Sequence, residues 1–398
     1  MKKSIAIIGG GSAAMMLAAQ LNENKFEVTI YERNAALGRK FLVAGDGGFN
    51  LTHSEEIGQF ISRYQPITFM EPIIRSFTNV DLRNWFSSIG IETIVGSSKR
   101  VFPTEGIKPI DVLNAILKVL KKKNVSIQTQ HNWKGWKGDE LIFEANGEIR
   151  NIKAESIIFA LGGGSWKVTG SDGAWINYFK EKGITTVPFQ SSNCAFEIKW
   201  SREFLKVAEG QSLKNISLKC NHTEKKGEVV VTAFGLEGGA VYALSADIRK
   251  QLNEQNTATV FLDLKPAFTL DQVKTKTLNR GNKSLSQHLE SELNLDKVQL
   301  QLLKSILSKE EFTNIELISE KIKNLPLSIT APAPIDEAIS TVGGVALPEI
   351  DQHFQLKKLP DHYVIGEMLD WDAPTGGYLL QACFSMGYCL GEYLNTKN

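Results

Sequence analysis

A glycine-rich turn near the start of the chain limits the possible folds more than any other feature. The apolar run from Ser4 to Ile8 predicts a buried strand, and it ends at Gly9 to Gly11. A second strand is expected from Val28 to Tyr31. Between them, apolar residues recur at the i, i+3, i+4 and i+7 spacing of a helix packed on a sheet, namely Ala14, Leu17, Ala18 and Leu21. The pattern predicts a strand–helix–strand unit of an α/β fold.

The spacing Gly9-x-Gly11-x-x-Ala14 gives each small residue a steric role at the mouth of the helix. Gly9 permits the tight turn, Gly11 lets a pyrophosphate approach the backbone, and Ala14 lets helix and strand pack closely. Glu32 ends the second strand, where a carboxylate can accept hydrogen bonds from an adenosine ribose. These residues together predict a bound dinucleotide, and the carboxylate favours FAD or NAD over NADP. The alternative is a glycine turn without a ligand.

A second glycine-rich loop runs from Gly38 to His53 and begins with two cations, Arg39 and Lys40. Such a loop can lie against a planar ring and donate backbone N–H groups to an anion. From residue chemistry alone, a mobile surface loop is an equally good interpretation.

The 45 basic and 44 acidic side chains leave a net charge of +1, which argues against a dedicated nucleic-acid surface. The four cysteines show no C-x-x-C pair and no spacing suited to zinc, so we predict reduced thiols and no metal site. A thiol relay of the disulfide-reductase kind is thereby excluded. The chain also has no apolar run long enough for a membrane span, and we expect a soluble, cytoplasmic protein.

A length of 398 residues predicts two or three domains. The predicted division is a two-part nucleotide-binding domain (1–188 and 341–398), an inserted β-rich domain (189–265 and 325–340) and a helical subdomain (266–324). Short alternating runs from Val125 to Glu144 predict an antiparallel meander. The helical part has three possible N-cap pairs: Asp296 with Gln299, Ser308 with Glu311, and Thr313 with Glu316.

Several segments resemble, in order and over almost the whole chain, the YhiN-like or BaiN-type predicted flavoproteins. They are Gly9 to Ala14, Tyr31-Glu32-Arg33, Gly38 to His53, Ala160 to Gly163, Gly366 to Asp370 and Pro374 to Tyr378. The resemblance implies FAD as cofactor and an α/β, Rossmann-like FAD-binding domain formed by the N- and C-terminal segments. It also implies an inserted β-barrel-like domain that carries a small helical subdomain.

The resemblance also implies which residues contact the cofactor. They are Gly9, Gly10, Gly11, Ser12, Ala13, Ala14, Glu32, Arg33, Arg39, Lys40, Gly45, Gly47, Gly48, Asn50, Thr52, Ala160, Gly162, Gly163, Gly366, Glu367, Gly376, Gly377, Tyr378 and Leu379. One departure stands out, because many relatives have Gly-Arg-Cys-Asn where this chain has Gly47-Gly48-Phe49-Asn50. A reactive thiol at that point cannot be part of this protein's mechanism.

The glycine run from Gly162 to Gly164 lacks the spacing and the distal acid of a second nucleotide site. We therefore predict that a reduced nicotinamide, NADH or NADPH, would dock only transiently. Candidates for contact with the substrate are Asn50, Thr52, His53, Lys167 and Tyr378, each of which also fits a loop-stabilising or solvent-facing role. Among them His53 is preferred as a proton donor.

The function predicted from these features is an FAD-dependent oxidoreductase, whether reductase, dehydrogenase or oxidase, acting on an undetermined small molecule. Two alternatives stay open. One is an RNA-associated flavoprotein that modifies bases, for which the helical insert offers Lys274, Lys276, Arg280 and Lys283. The other is a flavin-binding protein without turnover.

Overall fold

The computed structural model describes residues 1–43, 48–278 and 281–397. Its strands are β1 (Lys3–Ile8), β2 (Phe26–Tyr31), β3 (Thr52–His53), β4 (Thr93–Val95), β5 (Arg100–Pro103), β6 (Ser126–Gln128), β7 (His131–Lys137), β8 (Glu140–Ala145), β9 (Glu148–Ile152), β10 (Ser156–Phe159), β11 (Thr186–Ser192), β12 (Phe196–Glu197), β13 (Ser212–Cys220), β14 (Thr223–Val231), β15 (Gly235–Glu237), β16 (Ala258–Asp263), β17 (Leu325–Ile329), β18 (Ser340–Val345) and β19 (His362–Val364).

The α-helices are α1 (Ser12–Gln20), α2 (Arg39–Val43), α3 (Ile57–Ile61), α4 (Ile67–Ser76), α5 (Asn79–Ser88), α6 (Pro109–Lys122), α7 (Ile176–Glu181), α8 (Arg202–Ala208), α9 (Gly239–Tyr242), α10 (Ser245–Gln255), α11 (Leu270–Leu278), α12 (Leu285–Leu293), α13 (Lys297–Ile306), α14 (Lys309–Thr313), α15 (Ile315–Lys323) and α16 (Tyr378–Thr396). Short 3₁₀ turns lie at Lys167–Thr169, Ile335–Glu337, Leu347–Glu349 and Gly366–Met368.

The chain divides into two compact units, Met1–Gln190 with Ile339–Asn398 and Ser191–Ala338. The first contains a five-stranded sheet in the order β19-β10-β1-β2-β6, and every pairing in it is parallel. Ile5 to Ile8 in β1 are at most 2% exposed, as expected for a central strand of a parallel sheet. The predicted strand–helix–strand unit is confirmed as β1, α1 and β2.

The predicted meander is wrong at its start. Strand β6, Ser126–Gln128, pairs in parallel with β2 and forms an edge of the main sheet, whereas the meander consists of β7, β8 and β9 and extends to Ile152. The three residues of β6 are all exposed, so they carry no apolar signal of a sheet strand. Their position follows from the chain's return to the sheet after α6, which local alternation does not show.

The C-terminal helix α16 packs against α1 through two glycines. A Cβ added to Gly387 would lie 2.4 Å from the carbonyl oxygen of Ala13, and one added to Gly391 would lie 2.6 Å from Cβ of Gln20. Only glycine permits this close approach. The two ends of the chain are thus fixed to one another beside the glycine turn.

The second unit contains a six-stranded sheet in the order β12-β15-β14-β13-β16-β17. The sheet curls until its edges meet, because the amide of Glu197 donates to the carbonyl of Ala331 (2.8 Å) and the amide of Thr330 donates to the carbonyl of Glu197 (3.1 Å). This closure confirms the predicted β-barrel-like domain. Strand β13 was not predicted.

Two of the three predicted N-cap pairs are confirmed, because Asp296 with Gln299 and Ser308 with Glu311 form reciprocal capping boxes. The third is wrong. Asn314 caps α15 by accepting hydrogen bonds from the amides of Glu316 and Leu317, while the Thr313 hydroxyl donates back to Lys309. Both residues are good caps, so the sequence left the boundary uncertain by one position. The division into three predicted domains, with a separate helical subdomain, stays a prediction.

Candidate functional site

The three glycines of the first turn have different surroundings. Gly9 has φ of +101°, and a Cβ on it would lie 2.4 Å from the carbonyl oxygen of Ala160, so the fold itself requires glycine there. Gly11 has an ordinary φ of −82°, and a Cβ on it would meet nothing within 4 Å. The protein thus needs no glycine at residue 11 for its own packing. The open space beside Gly11 is where a ligand can approach the backbone.

Helix α1 begins beside this space with no side-chain cap on its N-terminus. The amide of Met15 donates to the carbonyl of Gly11 at 3.0 Å, which leaves the first-turn amides of Ser12 and Ala13 without partners inside the helix. These amides and the positive end of the helix dipole suit the pyrophosphate of a dinucleotide. Ala14 is fully buried between helix and sheet, as its predicted packing role requires.

Glu32, at the end of β2, is 9% exposed and is held in place by three hydrogen bonds. Its Oε2 accepts from the amide of Gly10 at 2.8 Å, and its Oε1 accepts from the amide and side chain of Asn34 at 2.8 and 2.7 Å. The carboxylate is therefore fixed against the glycine turn. Oε2, which accepts only one of these bonds, can accept a further hydrogen bond, as a ribose hydroxyl would require.

Arg33 and Arg39 flank this carboxylate and are already engaged within the protein. Arg33 forms an ion pair with Asp172 at 2.8 Å, and Arg39 donates to the Asn34 side chain at 2.8 Å. Burial by itself would raise the pKa of Asp172, but the hydrogen bonds from Arg33 and the amide of Ala174 outweigh it and lower that pKa. The segment that follows the Gly162–Gly164 run is thereby tied to the end of β2.

Lys40 links segments that lie far apart in the chain. Its Nζ lies 2.9 Å from Oε2 of Glu367 and donates to the Ser165 hydroxyl at 2.8 Å. Glu367 also accepts from the amide of Thr341 at 3.2 Å. A Cβ on Gly163 would lie 2.1 Å from Oγ1 of Thr341, so the turn at Gly163 passes directly over this cluster. The structure therefore brings the predicted residues Lys40, Gly163 and Glu367 together.

Three more predicted residues lie where the C-terminal segment meets the first turn. Ala160 follows β10 and its amide donates to the carbonyl of Ile8 at 2.8 Å. Gly162 has φ of +74°, and its carbonyl accepts from the indole N–H of Trp175 at 3.0 Å. Gly366 has φ of +84°, and a Cβ on it would lie 3.2 Å from that of Ala13. Gly366 therefore adjoins the start of α1.

The loop that ends in β3 reaches the start of α16. A Cβ on Gly377 would lie 2.5 Å from Cα of Thr52, and the fully buried Thr52 hydroxyl donates to Gln381 at 2.7 Å. These contacts favour a structural role for Thr52. The half-buried Asn50 side chain has no hydrogen-bond partner in the part of the chain that the structure describes. Tyr378 and Leu379 are the first two residues of α16.

Two of the predicted cofactor contacts, Gly45 and Gly47, lie outside the described residues. Gly48, which follows them, is exposed and has φ of +115°. The next residue, Phe49, is buried and packs edge-on against Phe41, with ring centroids 4.9 Å apart. The side chain that replaces a cysteine of many relatives is therefore a packing residue.

Both ring nitrogens of His53 are engaged by the backbone. Nδ1 accepts from the amide of Glu55 at 3.2 Å, so the proton lies on Nε2, which faces the carbonyl of Ser98 at 3.2 Å. Burial lowers the pKa of His53, which favours this neutral form. The surroundings of His53 thus favour an anchoring role and give no support to its predicted role as a proton donor. Lys167 is exposed on a 3₁₀ turn.

Tyr378 belongs to a buried polar network that the sequence did not predict. Its hydroxyl donates to Oε1 of Glu55, and Glu55 is also held by a bidentate ion pair with Arg63 at 2.9 and 2.8 Å. Burial raises the pKa of Tyr378 well above its ordinary value, so the hydroxyl stays protonated and its proton points at Glu55. No periodicity connects residues 55, 63 and 378, so no sequence signal could have found the network.

A family model described as the HI0933-like protein Rossmann domain matches residues 3–393. The chain belongs to this family. A curated relative, the 3-dehydro-bile acid delta(4,6)-reductase of Clostridium scindens, is 25% identical over 98% of each chain. The ribosomal RNA dihydrouridine synthase of Haemophilus influenzae is 25% identical over 96% of each chain.

Among solved structures, the 3-ketosteroid delta1-dehydrogenase of Sterolibacterium denitrificans matches with a TM-score of 0.53 and 10% identity, covering 100% of both chains. At this identity the match shows the fold alone. The HI0933-like family and this fold confirm the predicted recognition, the Rossmann-like FAD-binding architecture and the class of FAD-dependent oxidoreductases.

Within the described residues, no helix is both long and apolar enough to cross a membrane. The same residues contain no cluster of His, Cys, Asp and Glu that could hold a metal ion.

Proposed function

We propose that this HI0933-like protein is an FAD-dependent reductase of small molecules in which a carbon–carbon double bond is conjugated with a carbonyl group. FAD binding is supported mainly by the open space at Gly11, which lies between the uncapped start of α1 and the fixed carboxylate of Glu32. The pyrophosphate fits the start of α1, and the ribose fits the carboxylate of Glu32. Bound FAD supplies the hydride, and the protein supplies orientation and electrostatics.

The substrate class is suggested by what the named relatives have in common. One is named as a delta(4,6)-reductase of 3-dehydro bile acids and the others as synthases of dihydrouridine in ribosomal RNA. Both names describe the addition of two hydrogen atoms across a carbon–carbon double bond conjugated with a carbonyl group. We take that reaction, rather than either named substrate, as the property this chain shares with them.

We propose a reduced nicotinamide as the donor, docking transiently. The glycine run from Gly162 to Gly164 supports this, because its backbone and the residues that follow it are used internally: Ser171 donates to the carbonyl of Gly163 at 2.7 Å, and Asp172 is paired with Arg33. A lasting nicotinamide site at this turn would compete with those contacts.

The test is anaerobic mixing of the FAD-loaded protein with NADH or NADPH, followed by addition of a conjugated ketone. We expect fast bleaching of the flavin absorbance by one donor, and fast return of the colour with cyclohexenone or a steroid enone. The matched saturated ketone, cyclohexanone, should leave the flavin reduced. If the two ketones reoxidise the flavin at the same rate, or if only oxygen reoxidises it, the proposal is wrong.

The RNA-modifying alternative rests on the names of the two synthases, and the helical insert gives it little support. Lys274 is paired with Glu316 at 2.9 Å, and Lys276 lies over the ring of Phe268 at 5.4 Å. Lys283 donates to Ser291, and Arg280 lies outside the described residues. We therefore place the small-molecule reductase first. A salt-dependent shift of ribosomal RNA by the protein, with reduction of uridine in it, would reverse that order.

We expect that replacing all four cysteines by Ser or Ala leaves reduction of the flavin by its donor within about three-fold of wild type. Burial raises the pKa of Cys383 to about 12, and of Cys389 and Cys220 to about 11, so these thiols stay protonated and unreactive. Stability should fall modestly, because Cys194 and Cys220 are buried in the second unit. Stopped-flow reduction checks this, and loss of turnover in any folded, FAD-loaded single variant would contradict it.

The start of α16 is expected to stabilise reduced flavin, which carries negative charge near N1 and O2. The backbone N–H groups at this helix start can donate to that charge, and Gly376, with φ of +114°, lets the backbone come close to the flavin. Gly376→Val should therefore move these N–H groups away and lower the reduction potential of the flavin by about 20 mV, or about 1 kcal/mol. Gly90→Val is the control, because Gly90 also has positive φ, +85°, but lies in open space. A folded, FAD-loaded Gly376→Val protein with an unchanged potential would limit Gly376 to a turn-forming role.

A further inference from the structure

One face of strand β5 carries a cation beside an aromatic ring. Arg100 and Phe102 alternate with Val101 along the strand, so both side chains leave the sheet on the same side. Val101 faces the core and is fully buried, whereas Arg100 and Phe102 are only half-buried. Ile94 in β4 is paired with Phe102, shares that side and is 49% exposed. The face therefore combines apolar side chains with one guanidinium, and His53 of β3, which is paired with Arg100, lies at its edge.

This face lies next to both glycine segments that we assign to the flavin. A Cβ on Gly48 would lie 3.1 Å from the ring of Phe102, and one on Gly376 would lie 3.6 Å from Nε of Arg100. Both glycines have positive φ, of +115° and +114°. Phe102 thus lies against Gly48, and Arg100 lies beside Gly376.

Arg100 has no partner within residues 1–43, 48–278 and 281–397: its side chain makes neither an ion pair nor a hydrogen bond there. Glu55 and Arg100 both lie near His53 and shift its pKa in opposite directions, but the Glu55 carboxylate is already bound by Arg63 and Tyr378. A half-buried guanidinium loses part of its hydration, and that cost is recovered only when an acceptor binds. The geometry therefore leaves a place for an oxygen atom that the protein does not supply.

We propose that Arg100 binds the carbonyl oxygen of the substrate, with the apolar face of β4 and β5 against the substrate's ring. The inference rests on the proposed function and names the residue that recognises the conjugated carbonyl. Hydride addition to the far carbon of the double bond moves an electron pair onto the carbonyl oxygen and gives an enolate. Arg100 stabilises that charge, and a proton taken from solvent water then adds to the carbon beside the carbonyl. The reduced nicotinamide restores the two electrons.

Arg100→Gln and Arg100→Lys test this role in the FAD-loaded protein. We expect kcat/KM for cyclohexenone to fall about 100-fold in Arg100→Gln, as when one donor to a developing oxyanion is removed, and less in Arg100→Lys. FAD content and the rate of reduction by the nicotinamide should stay within about two-fold of wild type, because Arg100 is not needed for either. Lys99→Gln is the matched control, because it removes an adjacent, exposed positive charge and should change neither quantity.

A second measurement needs no turnover. Titration with para-chlorophenol, followed by the absorbance band of a phenolate stacked on oxidised flavin, reports on an oxyanion held at the same place. We expect the phenol to bind at least ten-fold more weakly to Arg100→Gln than to wild type or Lys99→Gln where it binds as phenolate, with the difference shrinking as pH falls far enough for the bound phenol to stay protonated.

Unchanged phenol binding and unchanged kcat/KM in Arg100→Gln would overturn the inference, as would loss of FAD from that variant, which would place Arg100 on the cofactor. The phenol titration remains decisive if cyclohexenone is not a substrate. Failure of the proposed substrate class is therefore distinguishable from failure of the role of Arg100.

Discussion

A Gly11→Val protein is expected to fold like the wild type and to bind FAD at least 100-fold more weakly, a loss of about 2.7 kcal/mol or more. A Cβ on Gly11 meets no protein atom within 4 Å, and its φ of −82° suits any residue, so the fold has no reason to resist the change. The branched side chain instead fills the space through which a pyrophosphate would reach the amides of α1. Loss of the cofactor should therefore occur without loss of structure.

Gly239→Val is the matched control, because Gly239 also lies at the start of a helix and a Cβ on it meets nothing within 4 Å. Gly9 and Gly10 are unsuitable, since a Cβ there would lie 2.4 Å from Ala160 and 2.5 Å from Leu37. Circular dichroism checks the fold, and titration of apoprotein with FAD gives the affinity. Full FAD affinity in a folded Gly11→Val protein would refute the placement of the pyrophosphate.

Arg63→Met is expected to lower the free energy of unfolding by about 2–4 kcal/mol at neutral pH, because it leaves the buried carboxylate of Glu55 without its cation. The Glu55 side chain is only 5% exposed, whereas that of Arg63 is 33% exposed, so solvent screening keeps the effect below that of a fully buried pair. Arg75→Met is the control. Its ion pair with Glu71 lies at the surface, with side chains 53% and 42% exposed, and its loss should cost under about 1 kcal/mol.

The effect of Arg63→Met should also depend on pH. Burial favours the neutral form of Glu55, but hydrogen bonds from Arg63 and Tyr378 outweigh it and lower the pKa of Glu55 in the folded protein. The pair therefore stabilises the fold above the pKa of an unfolded glutamate, about 4.3, and loses that effect as pH falls through the lowered value. Urea unfolding of both proteins across this range checks it. A difference between wild type and variant that is the same at neutral and acid pH would contradict the role of the pair.

The parts of the fold that the sequence predicted are those in which local pattern and tertiary position agree. The unit from β1 to β2 is one example, because β1 is a buried apolar run, α1 consists almost entirely of buried small and apolar residues, and the turn between them needs glycine at Gly9 for the protein's own packing. The capping boxes at Asp296 and Ser308 are another, since both partners lie within one turn. Here no distant contact is needed to decide the structure.

The rest depended on contacts that a sequence does not display. The exposed strand β6 is defined by its pairing with β2, and β13 is interrupted by an irregular register between Leu213 and Ile216 that breaks its alternation. In the site, Tyr378 and Glu55 are 323 residues apart. Arg100 looks like an ordinary surface charge until Gly376 is placed beside it.

The most direct test of the central claim, that Gly11 and Glu32 define an FAD site used for reduction, is mass analysis of the cofactor released by heat from the purified protein. We predict FAD, at about one per chain after reconstitution, because FMN lacks the adenosine that Glu32 would bind and the second phosphate that the turn would hold. FMN as the released cofactor, or no flavin even after incubation with excess FAD, would contradict it.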